Sequence, residues 1–163
     1  MMQNWQKRSP RLNKQNVGDV RRRAMDLLAR REHGITELSR KLIVKKFDPQ
    51  LVEEAIDGLV CENLLSDERF CESMINSRLN RGHGPIKVSF ELRSKGVPDH
   101  IVERVMEQLL PDWQQSLVDL IKKKYAGQLS GTPAERVKQV RFLSSRGFPH
   151  EMIYSVIQDA EFD

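Results

Sequence analysis

Arg31-Glu32-His33-Gly34 returns 50 residues later as Arg81-Gly82-His83-Gly84, and the echo continues through Ser39 and Ser89, Leu42 and Leu92, Lys45 and Lys95, Val52 and Val102, and Leu59 and Leu109. A third copy follows about 51 residues on, where Leu92, Ser94, Gly96, Pro98 and Val105 come back as Leu143, Ser145, Gly147, Pro149 and Val156. A fixed period of this size is the mark of stacked supersecondary units. Units that touch mainly their neighbours build long surfaces suited to a polymer or a protein partner.

Within each period the apolar residues fall at helical spacing. Val20, Ala24, Leu27 and Leu28 share one face behind Asp19, read as an N-cap, and Leu38 and Leu42 share another. Asp48 with Pro49 opens a third helix that buries Leu51, Val52, Ala55, Ile56 and Leu59. Ser66 caps a helix with Phe70, Cys71, Met74 and Ile75 inward, and the sequence Thr132-Pro133-Ala134-Glu135 has the form of a capping box. No segment alternates as a strand does. The reading is therefore all-α, with nine helices as three tandem helix-turn-helix-like three-helix repeats stacked into an elongated curved array. Repeat 1 spans 17–65, repeat 2 spans 66–111 and repeat 3 spans 112–163, behind a flexible basic arm at 1–16 that carries Trp5. A module of about 50 residues buries too little surface to stand alone, so stacking is expected to complete a shared core.

Apolar runs of about three residues are far short of the roughly 18 a membrane helix requires, and the polar, basic N-terminus has no secretory h-region. A cytoplasmic protein without membrane contact is expected. Cys61 and Cys71 lack the spacing of a zinc or redox motif and read as small core residues. His33 and His83 precede helix-breaking glycines and read as partners of the last carbonyls of the preceding helix. His100 and His150 do not align in the repeat, and no metal-ligand spacing surrounds any of the four. Asp67 and Glu68 diverge by about 100° on a helix and suit its positive first turn. Gly82 and Gly84 lack the Lys and Ser/Thr of a P-loop. No enzyme, metal or cofactor is implied.

The net charge of +4 is modest, but its distribution is sorted. Third helices are acidic, with Asp48, Glu53, Glu54, Asp57 and Glu62 in the first unit, and Asp99, Glu103, Glu107 and Asp112 in the second. Cations collect on the first two helices of each unit. Repeated along a stack, this gives a basic flank that attracts phosphates and an acidic flank open to basic protein surface. The alternative is that each charge is a solvated helix face.

Leu65-Ser66-Asp67-Glu68-Arg69-Phe70, followed by Arg78, Arg81, Gly82, Gly84, Pro85, Glu91-Leu92 and Lys95-Gly96-Val97, resembles the RecX family of bacterial recombinase regulators. The likeness takes in residues 29–33 and 37–42 and the closing Phe142-Leu143 through Arg146-Gly147-Phe148. It implies a crescent of three three-helix repeats that binds the RecA recombinase, above all its filament on single-stranded DNA. It further implies a negative regulator lying in the filament groove, which limits extension or promotes disassembly and so lowers ATP hydrolysis and strand exchange. One departure is Lys46 where the other units have Gly96 and Gly147, which predicts a different turn in the first unit.

The candidate interface is a discontinuous basic groove of Arg30, Arg31, Lys45, Arg78, Arg81, Lys87, Lys95, Lys123 and Arg146. Its expected partners are the RecA filament and single-stranded DNA, with double-stranded DNA left open, and the chain is expected to act as a monomer. Two rivals stand beside this reading: a sequence-independent DNA-binding protein, and a helical-repeat adaptor for another protein. Phe70, Phe90 and Phe148 are placed in the core or in turns, which argues against strong base stacking.

Overall fold

The computed structural model describes residues 15–127, 129 and 131–161, and it is helical throughout. Unit 1 holds α1 (Val17–Leu28), α2 (Ile35–Val44) and α3 (Pro49–Cys61); unit 2 holds α4 (Asp67–Leu79), α5 (Pro85–Ser94) and α6 (Asp99–Leu109); unit 3 holds α7 (Trp113–Tyr125), α8 (Pro133–Ser145) and α9 (His150–Glu161). Among the described residues there is no strand. No described helix is long and apolar enough to cross a membrane.

The helix starts follow their caps. The Ser66 hydroxyl accepts from the Arg69 N–H, Asp48 from the Gln50 N–H and Thr132 from the Glu135 N–H, each filling an orphan donor of the first turn. At α1 the cap is Asn16 rather than Asp19: Asp19 sits at the third helical position and returns the bond to the Asn16 N–H, which completes a capping box. The first 14 residues, with Trp5 and most of the expected arm, lie outside the described residues. Gln15 is tied down, with Nε2 donating to Lys46 O at 3.0 Å and Oε1 accepting from Asp48 N at 3.1 Å.

Each unit closes its own core. Leu38, Leu42, Val52 and Leu59 are fully buried in unit 1, Cys71, Ile75, Val88 and Leu92 in unit 2, and Leu117, Leu143 and Ile153 in unit 3. Each fully buried aliphatic side chain contributes about 1.5–3 kcal/mol. Among the described residues the buried side chains fall into three clusters, one per unit, rather than one shared core, and apolar contacts join them at the edges: Trp113 of α7 packs against the second cluster, and Phe70 lies against Gly34. Cys61 is exposed, not core. It stands two residues, or about 200°, beyond the buried Leu59 and so faces outward.

The turn after the middle helix is the same in all three units. Gly96 and Gly147 have φ of +85° and +93°, and Lys46 adopts +68°. The N–H of Phe47, Val97 and Phe148 bonds back to the carbonyl of Leu42, Leu92 and Leu143. The expected difference at Lys46 is thus corrected: the Schellman closure is kept, and lysine takes a left-handed conformation that costs about 1–2 kcal/mol.

Candidate functional site

The interest of the molecule lies at its two joints, because these decide where its cations point. At the first, the start of α2 abuts the α5–α6 turn. Ile35 N–H donates to the buried Asp67 carboxylate at 2.8 Å, and Thr36 Oγ1 donates to Gly96 O at 3.3 Å. Burial pushes the Asp67 carboxyl up, with the Ile35 bond opposing. At the second, the start of α5 abuts the α8–α9 turn in the same manner. Gly84 N–H donates to Arg146 O at 2.8 Å and Ile86 N–H donates to Gly147 O at 3.1 Å. Only glycine fits this approach, since a Cβ on Gly147 would lie 2.4 Å from Lys87 Cβ. All the bonds and ion pairs between units, among the described residues, join neighbours.

The first joint gathers charge around Glu37. Its carboxylate accepts from Arg31 at 2.7 and 3.1 Å and from Lys95 at 3.1 Å, with Lys41 Nζ at 3.6 Å. Burial alone would raise this carboxyl, but the Arg31 and Lys95 bonds and charges outweigh it and hold the group at about 2. Arg69 adds a second bridge across the joint to Glu32 at 3.2 Å. His33 is buried, its Nδ1 at 3.0 Å from Arg31 O and its Nε2 at 3.0 Å from Lys41 Nζ. Those partners require a neutral ring that donates from Nδ1 and accepts at Nε2. Burial depresses its pKa, as that requires. The ring therefore bolts a loop rather than capping helix carbonyls.

The second joint is built differently. His83 Nε2 accepts from Arg146 Nη1 at 3.1 Å, while His83 Nδ1 and Arg146 Nε are buried without a hydrogen-bond partner. Burial lowers the His83 pKa, and Lys87 and Arg146 add to the effect. Beside it opens a cleft of about 610 Å³ whose lining includes Arg81, Lys123, Lys124, Arg146 and Phe142. Lys124 Nζ lies 3.9 Å from the centre of the Phe142 ring.

The nine candidate cations thus divide. Arg31 and Lys95 converge on Glu37, and Arg78 pairs with Glu91 at 2.6 Å. Arg81, Lys123 and Arg146 come together at the cleft. Lys87 packs on Gly147 beside them. Arg30 and Lys45 are exposed on unit 1, and Lys45 borders a shallow apolar hollow with Leu27 and Val44. Among the described residues, six of the nine candidates, Arg30, Lys45, Arg81, Lys87, Lys123 and Arg146, have no ion pair, although Arg146 is bonded to His83. The acids of α3 and α6, including Glu53, Glu54, Asp57, Glu103 and Glu107, are exposed. No cluster of described residues has the makings of a metal site.

Residue type misled the sequence reading at a second place, as it had at Cys61. Phe90 is 71% exposed and stands one turn from Ile86, itself 58% exposed, on the outer face of α5. It lies about 200° from the buried Val88, a helical phase that the sequence already contained.

Comparison with known proteins gives a consistent result. Three family models match in order: the first three-helix domain of RecX at residues 21–59, the second at 66–106 and the third at 112–157. A regulatory protein RecX of Pseudomonas syringae pv. tomato is 46% identical over 134 residues, covering 82% of this chain and 86% of its own. One from Pseudomonas fluorescens is 41% identical over 144 residues, covering 88% and 93%. The crystal structure of RecX from Lactobacillus salivarius superposes with a TM-score of 0.74 at 21% identity, over 90% of this chain and 97% of that one, a likeness of fold.

Proposed function

Because the chain belongs to the RecX family of regulatory proteins, we propose that it is a negative regulator of RecA that binds the groove of the RecA filament on single-stranded DNA. Bound there, it limits filament extension or promotes disassembly, and so lowers ATP hydrolysis and strand exchange. It acts as a monomer by binding alone, without catalysis, cofactor or metal.

The observation that carries this reading is a set of candidate cations that have no ion pair among the described residues and are spread over all three units: Arg30 and Lys45, then Arg81 and Lys87, then Lys123. Their spread over neighbour-to-neighbour units supports a track for a polyanion. Arg31, Arg78, Lys95 and Arg146 shape that track by holding the units and loops that present it. The exposed acids of α3 and α6 and the Ile86–Phe90 patch are suited to protein contact. Together they favour a nucleoprotein partner over naked DNA.

The test is order of addition in RecA ATP turnover on single-stranded DNA. Suppression only when this protein is added before assembly assigns blocked growth, and a lag followed by decline after assembly assigns net disassembly. Turnover unchanged in both orders refutes the proposal. Capture from a bacterial lysate should return RecA as the principal partner; DNA binding without RecA would favour the DNA-binding rival.

A further inference from the structure

The two joints are built on the same plan but with opposite charge at one position. The repeat register sets Glu37 against Lys87, Arg31 against Arg81, and Lys95 against Arg146. In both joints the helix start seats on the facing glycine turn, Thr36 against Gly96 and Lys87 against Gly147. At the first joint an internal carboxylate is clasped by Arg31 and Lys95. At the second, the corresponding residue is a lysine, and the cations have no such anion.

What surrounds the second joint is a positive cavity. Arg81, Lys123, Lys124 and Arg146 line it, and none of them forms an ion pair among the described residues. Its two acids are already engaged by Gln115, Asp112 by the Gln115 N–H and Asp119 by the Gln115 Nε2, each at 2.8 Å. Arg146 lines the cleft with a guanidinium that is held in place by its Nη1 bond to His83 Nε2 at 3.1 Å, and a guanidinium fork is suited to an oxyanion. The cleft's 610 Å³ falls in the range of about 300–1,000 Å³ that takes small-molecule-sized groups, a nucleotide rather than a lone carboxylate.

We propose that the cleft between units 2 and 3 is an anion site that takes a backbone phosphate of single-stranded DNA, engaging Arg81 and Arg146, the counterparts of the two cations that Glu37 clasps at the first joint. The source of that phosphate rests on the DNA contact proposed above. Unit 1 has supplied its own anion and so is closed to this ligand, which makes the array polar: one joint is a fixed hinge pin and the other is pinned when DNA is present.

The experiment is fluorescence anisotropy of a short labelled oligo-dT with the full chain, across a salt series, comparing wild type with Arg81→Gln/Lys123→Gln. Both side chains are exposed and unpaired, so the melting temperature should hold. Binding should weaken about tenfold, and the slope of log K against log salt should shrink by about 0.7, the value for one phosphate contact on a single strand. A second variant, Lys87→Glu, restores the internal carboxylate. It should raise the melting temperature of the free protein while lowering oligo-dT affinity. Oligo-dT binding unchanged in the double variant overturns the site, as does a Lys87→Glu protein that melts no higher than wild type. Labelled poly-L-glutamate that loses affinity in the double variant while oligo-dT does not would assign the cleft to protein carboxylates, which also overturns it. Suppression of RecA ATP turnover by wild type, measured in parallel, separates the two proposals. Suppression without cleft-dependent oligo-dT binding removes this site alone, and cleft-dependent binding without suppression removes the RecA reading alone.

Discussion

Replacing Glu37 with Gln keeps the shape of the side chain and deletes the charge on which Arg31, Lys41 and Lys95 converge. A carboxyl held at about 2 instead of its ordinary 4.5 sets a ceiling of roughly 3 kcal/mol, at ~1.4 kcal/mol per pH unit. The Glu37 side chain is only 11% exposed, but Arg31 and Lys95 are 46% and 34% exposed. Solvent screening of these partners brings the cost to about 2 kcal/mol, between a surface pair and a buried one. In a chain of this size that lowers the melting temperature by roughly 4–8 °C, read by circular dichroism at neutral pH. The sign with pH follows from the depressed folded value. The stabilisation is whole above 4.5 and is lost as the pH falls toward 2, so the gap between wild type and Glu37→Gln must close on acidification. A melting temperature within about 1 °C of wild type at neutral pH, or a gap that persists undiminished in acid, would refute the reasoning.

The remaining predictions concern the turns and the outer face of α5. Gly147→Ala combines a left-handed backbone with a Cβ lying 2.6 Å from Lys87 N, and should cost about 3 kcal/mol in urea denaturation. Gly131→Ala, which meets nothing within 4 Å, should change stability by less than about 0.5 kcal/mol. Lys46→Gly relieves a left-handed lysine and should stabilise by about 1 kcal/mol; a loss of stability would show that the lysine side chain matters more than its backbone. Phe90→Ala should leave urea stability within about 0.5 kcal/mol of wild type. It should nonetheless weaken suppression of RecA ATP turnover by about tenfold, as an exposed aromatic anchor would.

The fold was written in local signals. Asp48-Pro49, Ser66 and Thr132 each mark a helix start by the chemistry of a single cap, and the repeat of Gly34 and Gly84 repeats the joint. The joints themselves were not legible, because Glu37 meets Lys95 58 residues away, a pairing that no helical period encodes. The grouping of Arg81, Lys123 and Arg146 was hidden for the same reason: they stand on the loop after α4, on α7 and on the α8–α9 turn. Cys61 and Phe90 failed differently. Their apolar character was weighed above their helical phase, although Leu59 and Val88 already fixed the inward direction of α3 and α5. The turn at Lys46 shows that a backbone closure worth two hydrogen bonds outlasts the glycine that usually permits it.

The most direct test of the account is ATP hydrolysis by preassembled RecA filaments on single-stranded DNA, titrated with wild-type protein and with Arg81→Glu/Lys123→Glu. Wild type should suppress turnover, and the charge-reversed protein should require at least about tenfold more, with the difference narrowing as salt rises. Equal suppression by the two proteins, or none by wild type, would contradict it.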